Sequence, residues 1–143
     1  ELKEEGYEKD VLEVLLKRLK DDDLIIASFN APSLKIIKDN YPNLKVGLIL
    51  AGDVSRDVMQ RVFKPLRIKR SMGIEADYLI LHWRLLGSGF FEKTEINSKP
   101  VFVWTVNDER LLLELLNDER IDGIITDKPD LAVSLRERIA CAE

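Results

Sequence analysis

Two charged residues open the chain with a spacing that can do chemistry. In "ELK", Glu1 and Lys3 are two apart, so in an extended segment they share one face while Leu2 turns to the other. A carboxylate and an ammonium side by side can hold a hard cation and a phosphate oxygen; a solvated surface pair is the plain alternative. His82, the one histidine, ends the apolar run "ADYLILHW", where it reads as either a base or a rim hydrogen-bonding group. "VFVWTVNDERLLLELL" places Trp104 late in an apolar run and Asn107 and Asp108 just before an amphipathic segment. Phe102, Trp104 and Val106 share one strand face, so core packing competes with ligand binding for Trp104. Asn107 and Asp108 read first as helix caps. Phe29 follows Ser28 at the end of "LIIASF" and reads equally as core or as pocket wall. Ser28 lacks a histidine base, which argues against a nucleophile. Asp127, before Lys128-Pro129, reads as a helix start.

The elements that must position these residues follow a clear rhythm. Apolar, β-branched runs occur at Leu24–Phe29, Lys45–Leu50, Ala76–Trp83, Val101–Val106 and Asp122–Asp127. Their near-continuous hydrophobicity predicts parallel strands buried on both faces. Between them lie helical stripes. The first holds Val11, Leu12, Leu15, Leu16 and Leu19. The second runs through Leu34, Ile36 and Ile37, with Asn30 as its cap and Pro32 in its first turn. A third holds Val58, Val62 and Phe63 and ends near Pro65. The last two run over Leu111–Leu116 and Leu131–Ile139. The segment 87–99 has the weakest helical pattern. Strand starts fall 21 to 31 residues apart, one strand plus one helix per unit.

That rhythm suits an open doubly wound sheet or a (β/α)8 barrel. A doubly wound nucleotide binder needs a glycine-rich turn after its first strand. The seven glycines are scattered, and neither GxGxxG nor GxxxxGK[ST] occurs. A full barrel takes about 250 residues; the 143 residues here supply five strands and the stub of a sixth. The expected fold is therefore α/β, a partial TIM barrel running from about the end of strand three to helix eight, as a single domain over 1–143.

Composition narrows the function classes. The chain is 45% hydrophobic and 34% charged, with a net charge of −4 from 22 basic and 26 acidic residues. Basic residues are dispersed, which argues against a nucleic-acid partner. No apolar run reaches the roughly 18 residues of a transmembrane helix. A single cysteine, Cys141, suits a reducing compartment and reads as incidental. A cytoplasmic location is expected, with peripheral contact to a membrane surface left open.

"VWTVND" followed by "IDGIITDKPDL" closely resembles the last two strands of the glycerophosphodiester phosphodiesterases. "LIIASFN" and "ADYLILHWRLL" resemble earlier strands of that family, and "ELK" resembles the tail of its Ile-Glu-Ile-Lys strand. The order and spacing agree along the whole chain. The resemblance implies a TIM barrel that hydrolyses glycerophosphodiesters to an alcohol and glycerol 3-phosphate with a divalent cation, Ca or Mg. It implies that Glu1 matches a metal carboxylate and Lys3 the active-site lysine. It further implies that Phe29 matches the aromatic shaping the glycerol pocket and Trp104 the aromatic at its wall. The family's two catalytic histidines and its Glu-x-Asp metal motif belong to earlier strands. The chain is therefore expected to be the carboxyl-terminal part of such an enzyme and inactive alone. It is expected to take up the missing amino-terminal strands or to self-associate. Trp83 departs from the small or proline-rich turn common in the family. The rival reading is a non-catalytic half-barrel that serves as an interaction or scaffold domain. Another phosphate-handling barrel fits less well, for lack of a glycine-rich phosphate loop.

Overall fold

The computed structural model describes residues 1–51, 76–88 and 99–141. Five strands form one all-parallel sheet: β1 (Ile25–Ser28), β2 (Lys45–Leu50), β3 (Tyr78–His82), β4 (Val101–Trp104) and β5 (Gly123–Ile124). Their order across the sheet equals their order in the chain. A doubly wound sheet reverses direction at a switch point. This one does not, and every crossover steps to the next strand, as in a barrel. Among the described residues four α-helices accompany them: α1 (Glu8–Leu15), α2 (Ala31–Asn40), α3 (Glu109–Leu116) and α4 (Pro129–Ala140). The chain is thus a partial barrel. The expected helix around Val58, Val62 and Phe63, and most of the 87–99 segment, lie outside the described residues.

The core lies between the sheet and its helices. Val46, Leu48, Leu79, Leu81, Val101 and Val103 point to that side and are almost wholly buried, against Leu34, Ile37 and Leu112. The alternate residues face the concave side, the interior of a closed barrel. There the expectation of burial on both faces fails. Ile25 is 41% exposed and Phe29 50%, while Tyr78, Phe102 and Trp104 are half-buried. The sheet curls only part of the way round, so its concave face is covered in the middle and open at the flanks. In the middle Ile49 and Ile80 sit opposite each other and are buried. Gly47 makes room for them: a Cβ there would meet Ile80 Cδ1 at 2.7 Å. Gly123 does the same beneath the Phe102 ring. This alternation of large and absent side chains is the layered filling of barrel interiors.

Several element ends differ from expectation for identifiable reasons. α1 stops at Leu15, because the amides of Arg18 and Leu19 both turn back to Leu15 O, and Leu19 ends up 41% exposed. β5 covers two residues rather than six. Asp122 instead turns its side chain to accept from the Val101 amide (2.8 Å), and Thr126 and Asp127 are drawn to Asn107. α2 begins as expected, with the Asn30 side chain accepting from Ser33 N and Pro32 in the first turn.

Candidate functional site

In a barrel of this kind the chemistry sits at the carboxyl ends of the strands. Phe29 lies one residue past β1, His82 ends β3 and Trp104 ends β4. Phe29 and Trp104 meet edge-to-face, with ring centroids 5.6 Å apart at 81°. Strands sit about 4.8 Å apart, so three strand steps span roughly 14 Å in a flat sheet. A direct contact between the ends of β1 and β4 therefore requires the sheet to curl and both rings to reach over its concave side. The indole Nε1 of Trp104 donates to Ile80 O (3.2 Å), which satisfies its only donor. The rest of the indole is apolar ring, half-buried between Phe29 and His82.

Glu1 and Lys3 reach the same side by register. Leu2 bridges in parallel to Ser28, its amide donating to Ala27 O (2.8 Å), and its side chain is buried toward the helices. Glu1 and Lys3 consequently flank Ala27 and Phe29 on the concave side, and both are exposed. The Lys3 backbone is pinned by the Tyr7 hydroxyl, which accepts from the amides of Lys3 (3.0 Å) and Glu4 (3.2 Å). Ser28, by contrast, is structural. Its buried Oγ donates to Leu2 O (2.7 Å) and accepts from Asn30 N (3.0 Å), which ties the ELK segment to β1.

Asn107 and Asp108 divide the work expected of both. Asp108 caps α3 by accepting from Leu111 N. Asn107 does no capping and reaches the next loop instead. Its Oδ1 accepts from Thr126 Oγ1 (3.1 Å) and Asp127 N (2.9 Å), its Nδ2 donates to Asp127 Oδ2 (2.7 Å), and its carbonyl accepts from Lys128 Nζ (3.0 Å). These bonds lock the ends of β4 and β5 together three residues past Trp104. The only sequence signal for this network was the joint presence of "WTVND" and "ITDKPD". His82 packs against Trp104 and Trp83, and its Nδ1 accepts from Arg84 N (3.3 Å). Among the described residues, no three His, Cys, Asp or Glu side chains cluster as a cation would need.

A singly wound parallel sheet in which every crossover steps to the next strand is the sheet of a TIM barrel. Residues 1–131 match the model of the Glycerophosphoryl diester phosphodiesterase family, and the chain belongs to that family. It is 27% identical over 130 residues to the glycerophosphodiester phosphodiesterase of Caldanaerobacter subterraneus subsp. tengcongensis, covering 91% of this chain and 49% of that protein. Among solved structures it resembles a putative glycerophosphoryl diester phosphodiesterase from Silicibacter pomeroyi (16% identity, TM-score 0.71, 93% of this chain and 44% of that one). A glycerophosphodiester phosphodiesterase from Parabacteroides distasonis is similar (23%, TM-score 0.66, 97% and 56%). So is an Oleispira antarctica phosphodiesterase solved with the product sn-glycerol-3-phosphate (22%, TM-score 0.63, 93% and 51%). The chain spans about half the length of these relatives.

Proposed function

We propose that this chain forms the glycerol-binding side of a glycerophosphodiester phosphodiesterase, which hydrolyses its substrate to an alcohol and glycerol 3-phosphate. The observation that carries the reading is the Phe29–Trp104 contact across the mouth, with Lys3 next to Phe29 in register. In this reading Phe29 and Trp104 give an apolar wall to the carbon face of the glycerol unit. Lys3 donates to a phosphate oxygen whose charge grows as water adds to phosphorus and the bond to the leaving alcohol breaks.

The described residues do not hold the rest of the chemistry. A hydrolase of this kind needs a base for the attacking water and an acid for the leaving alkoxide. His82 is the sole histidine, and its Nδ1 is committed to the Arg84 amide. The divalent cation implied by the family, Ca or Mg, takes six or more oxygen ligands. Glu1 by itself does not meet that demand, and among the described residues no cluster of carboxylates joins it. The complementary groups belong to further barrel strands, whether in the same polypeptide or in a partner. Half-open flanks of the concave face, Ile25 and Phe29 among them, favour such a complement. Alone, the 143 residues are expected to self-associate, or to gain stability when those strands are supplied. No described helix is long and apolar enough to cross a membrane. A cytoplasmic location, consistent with the exposed free Cys141, forms part of the proposal.

The test is release of glycerol 3-phosphate from glycerophosphocholine. The expected result is turnover by the full-length protein and none by residues 1–143 alone. Turnover by the short chain would refute the assignment of the acid and base to other strands. A full-length protein inert toward all glycerophosphodiesters would favour the non-catalytic half-barrel.

A further inference from the structure

His82 plays no part in the reading above, yet its ring is held on every side that the structure describes. It ends β3 directly opposite Trp104 in the β3–β4 register. Its centroid lies 5.1 Å from that of Trp104 at 88°, edge-to-face, and 5.5 Å from that of Trp83 at 28°, stacked. Acceptance of the Arg84 amide at Nδ1 fixes the ring's rotation and leaves the neutral imidazole's proton on Nε2. Trp83 is backed in turn by the Arg84 guanidinium, 5.1 Å from its centroid.

Among the described residues three groups restrain Trp104. Its Nε1 bond to Ile80 O anchors one edge. Phe29 meets it from β1, but Phe29 is itself half exposed and gives a soft contact. The third restraint, His82, is clamped by a stack and a backbone bond and is therefore the stiff one. We propose that His82 is a positioning residue: wedged between Trp83 and Trp104, its ring holds the Trp104 indole with its flat face toward the mouth, and so sets affinity for the glycerol unit. The second half rests on the function proposed above; the first half does not. An aromatic pair in this geometry biases an equilibrium by about two- to tenfold, which is the size of effect to look for.

The test uses the full-length protein labelled with 5-fluorotryptophan, the Trp104 fluorine resonance being assigned with Trp104→Phe. His82→Ala should broaden, shift or split that resonance. It should also raise KM for a glycerophosphodiester about two- to tenfold, with kcat little changed. His82→Phe keeps the ring edge and the stack on Trp83 but loses the backbone bond, and should restore most of both readouts. His82→Asn keeps an acceptor for Arg84 and loses the ring, and should behave like His82→Ala. If His82→Ala does not stay folded, the Phe and Asn variants decide between ring and acceptor. An unchanged Trp104 resonance in His82→Ala, or rescue by Asn but not Phe, would overturn the proposal. A disturbed resonance with unchanged KM would uphold the positioning role and instead refute the assignment of Trp104 to glycerol binding.

Discussion

The two ends of the sheet use their polar groups in opposite ways. At the amino ends, carboxylates are consumed by the backbone. Asp77 accepts from the Val46 amide (2.8 Å) and the Lys38 ammonium (3.0 Å), and Asp122 accepts from the Val101 amide (2.8 Å). Each ties the start of one strand to its neighbour. Lys38 also donates to Pro42 O and Leu44 O, so its charge is fully engaged. At the carboxyl ends the charges of Glu1 and Lys3 stand exposed, and rings occupy the strand tips. There Asn107, a neutral amide, gathers Thr126, Asp127 and Lys128 and so ties β4 to β5. Groups already satisfied by the protein cannot serve a substrate, and unsatisfied ones contribute little to folding. The difference separates an end that ties the strands together from an end whose charges stay exposed, in line with the usual division in barrels.

Mutations should respect that division. The largest effect is expected from Lys3→Ala in the full-length protein. Loss of a donor to a developing phosphate charge, the role proposed for Lys3, should lower kcat by about 10²–10³. KM should move less, and the unfolding midpoint should hold, because the side chain is exposed. A normal kcat with a raised KM would make Lys3 a ground-state contact.

Next is Asp77→Ala at the opposite end. It strands the Val46 amide and takes the counter-charge from Lys38, which keeps its two carbonyl acceptors, and should cost about 2–3 kcal/mol of stability in a denaturant melt. Kinetics at the mouth should be unchanged. The same residue gives a pH signature. Burial pushes the Asp77 carboxyl upward, but the Val46 amide and Lys38 outweigh it, with Lys45 assisting, so its pKa lies below the ordinary 3.8. A depressed folded value means the stabilisation is complete above 3.8 and fades as pH falls through the folded pKa. Asp77→Ala should therefore lie closest to wild type in stability at the lowest pH. An equal gap at all pH values would contradict this account of Asp77.

The smallest effect is expected from Ser28→Ala. It leaves Leu2 O and Asn30 N without their partner and should cost about 1 kcal/mol. Turnover should persist, because Ser28 Oγ is bound to the backbone rather than poised to attack. Abolished turnover in a folded Ser28→Ala variant would reverse that assignment.

Much of the fold was legible from local signals. "KVGLIL" gave β2 to the residue, and Asn30 and Pro32 marked the start of α2. The alternation in "ELK" placed both charges on one face and Leu2 on the other, because period two is a property of the extended chain itself. What stayed hidden depends on partners distant in sequence. The Asn107 side chain finds Thr126 and Asp127 some twenty residues later, so helix capping was the nearest available reading. The short β5 reflects the same competition. The His82–Trp104 contact needs the β3–β4 register, which periodicity does not specify. The open flanks of the concave face follow from how many strands curl together, so hydrophobic runs alone predicted more burial than Ile25 and Phe29 have.

The central claim is that the ring cluster at the mouth recognises glycerol. The most direct test compares kcat/KM of the full-length protein and its Trp104→Ala variant on two substrates. One is a glycerophosphodiester and the other is bis-p-nitrophenyl phosphate, which lacks glycerol. Removing an apolar wall worth about 1.5–3 kcal/mol should lower kcat/KM on the glycerophosphodiester by about 10- to 100-fold. Hydrolysis of the generic diester should change little. Equal losses on both substrates would mean that Trp104 packs the barrel and does not read the glycerol unit.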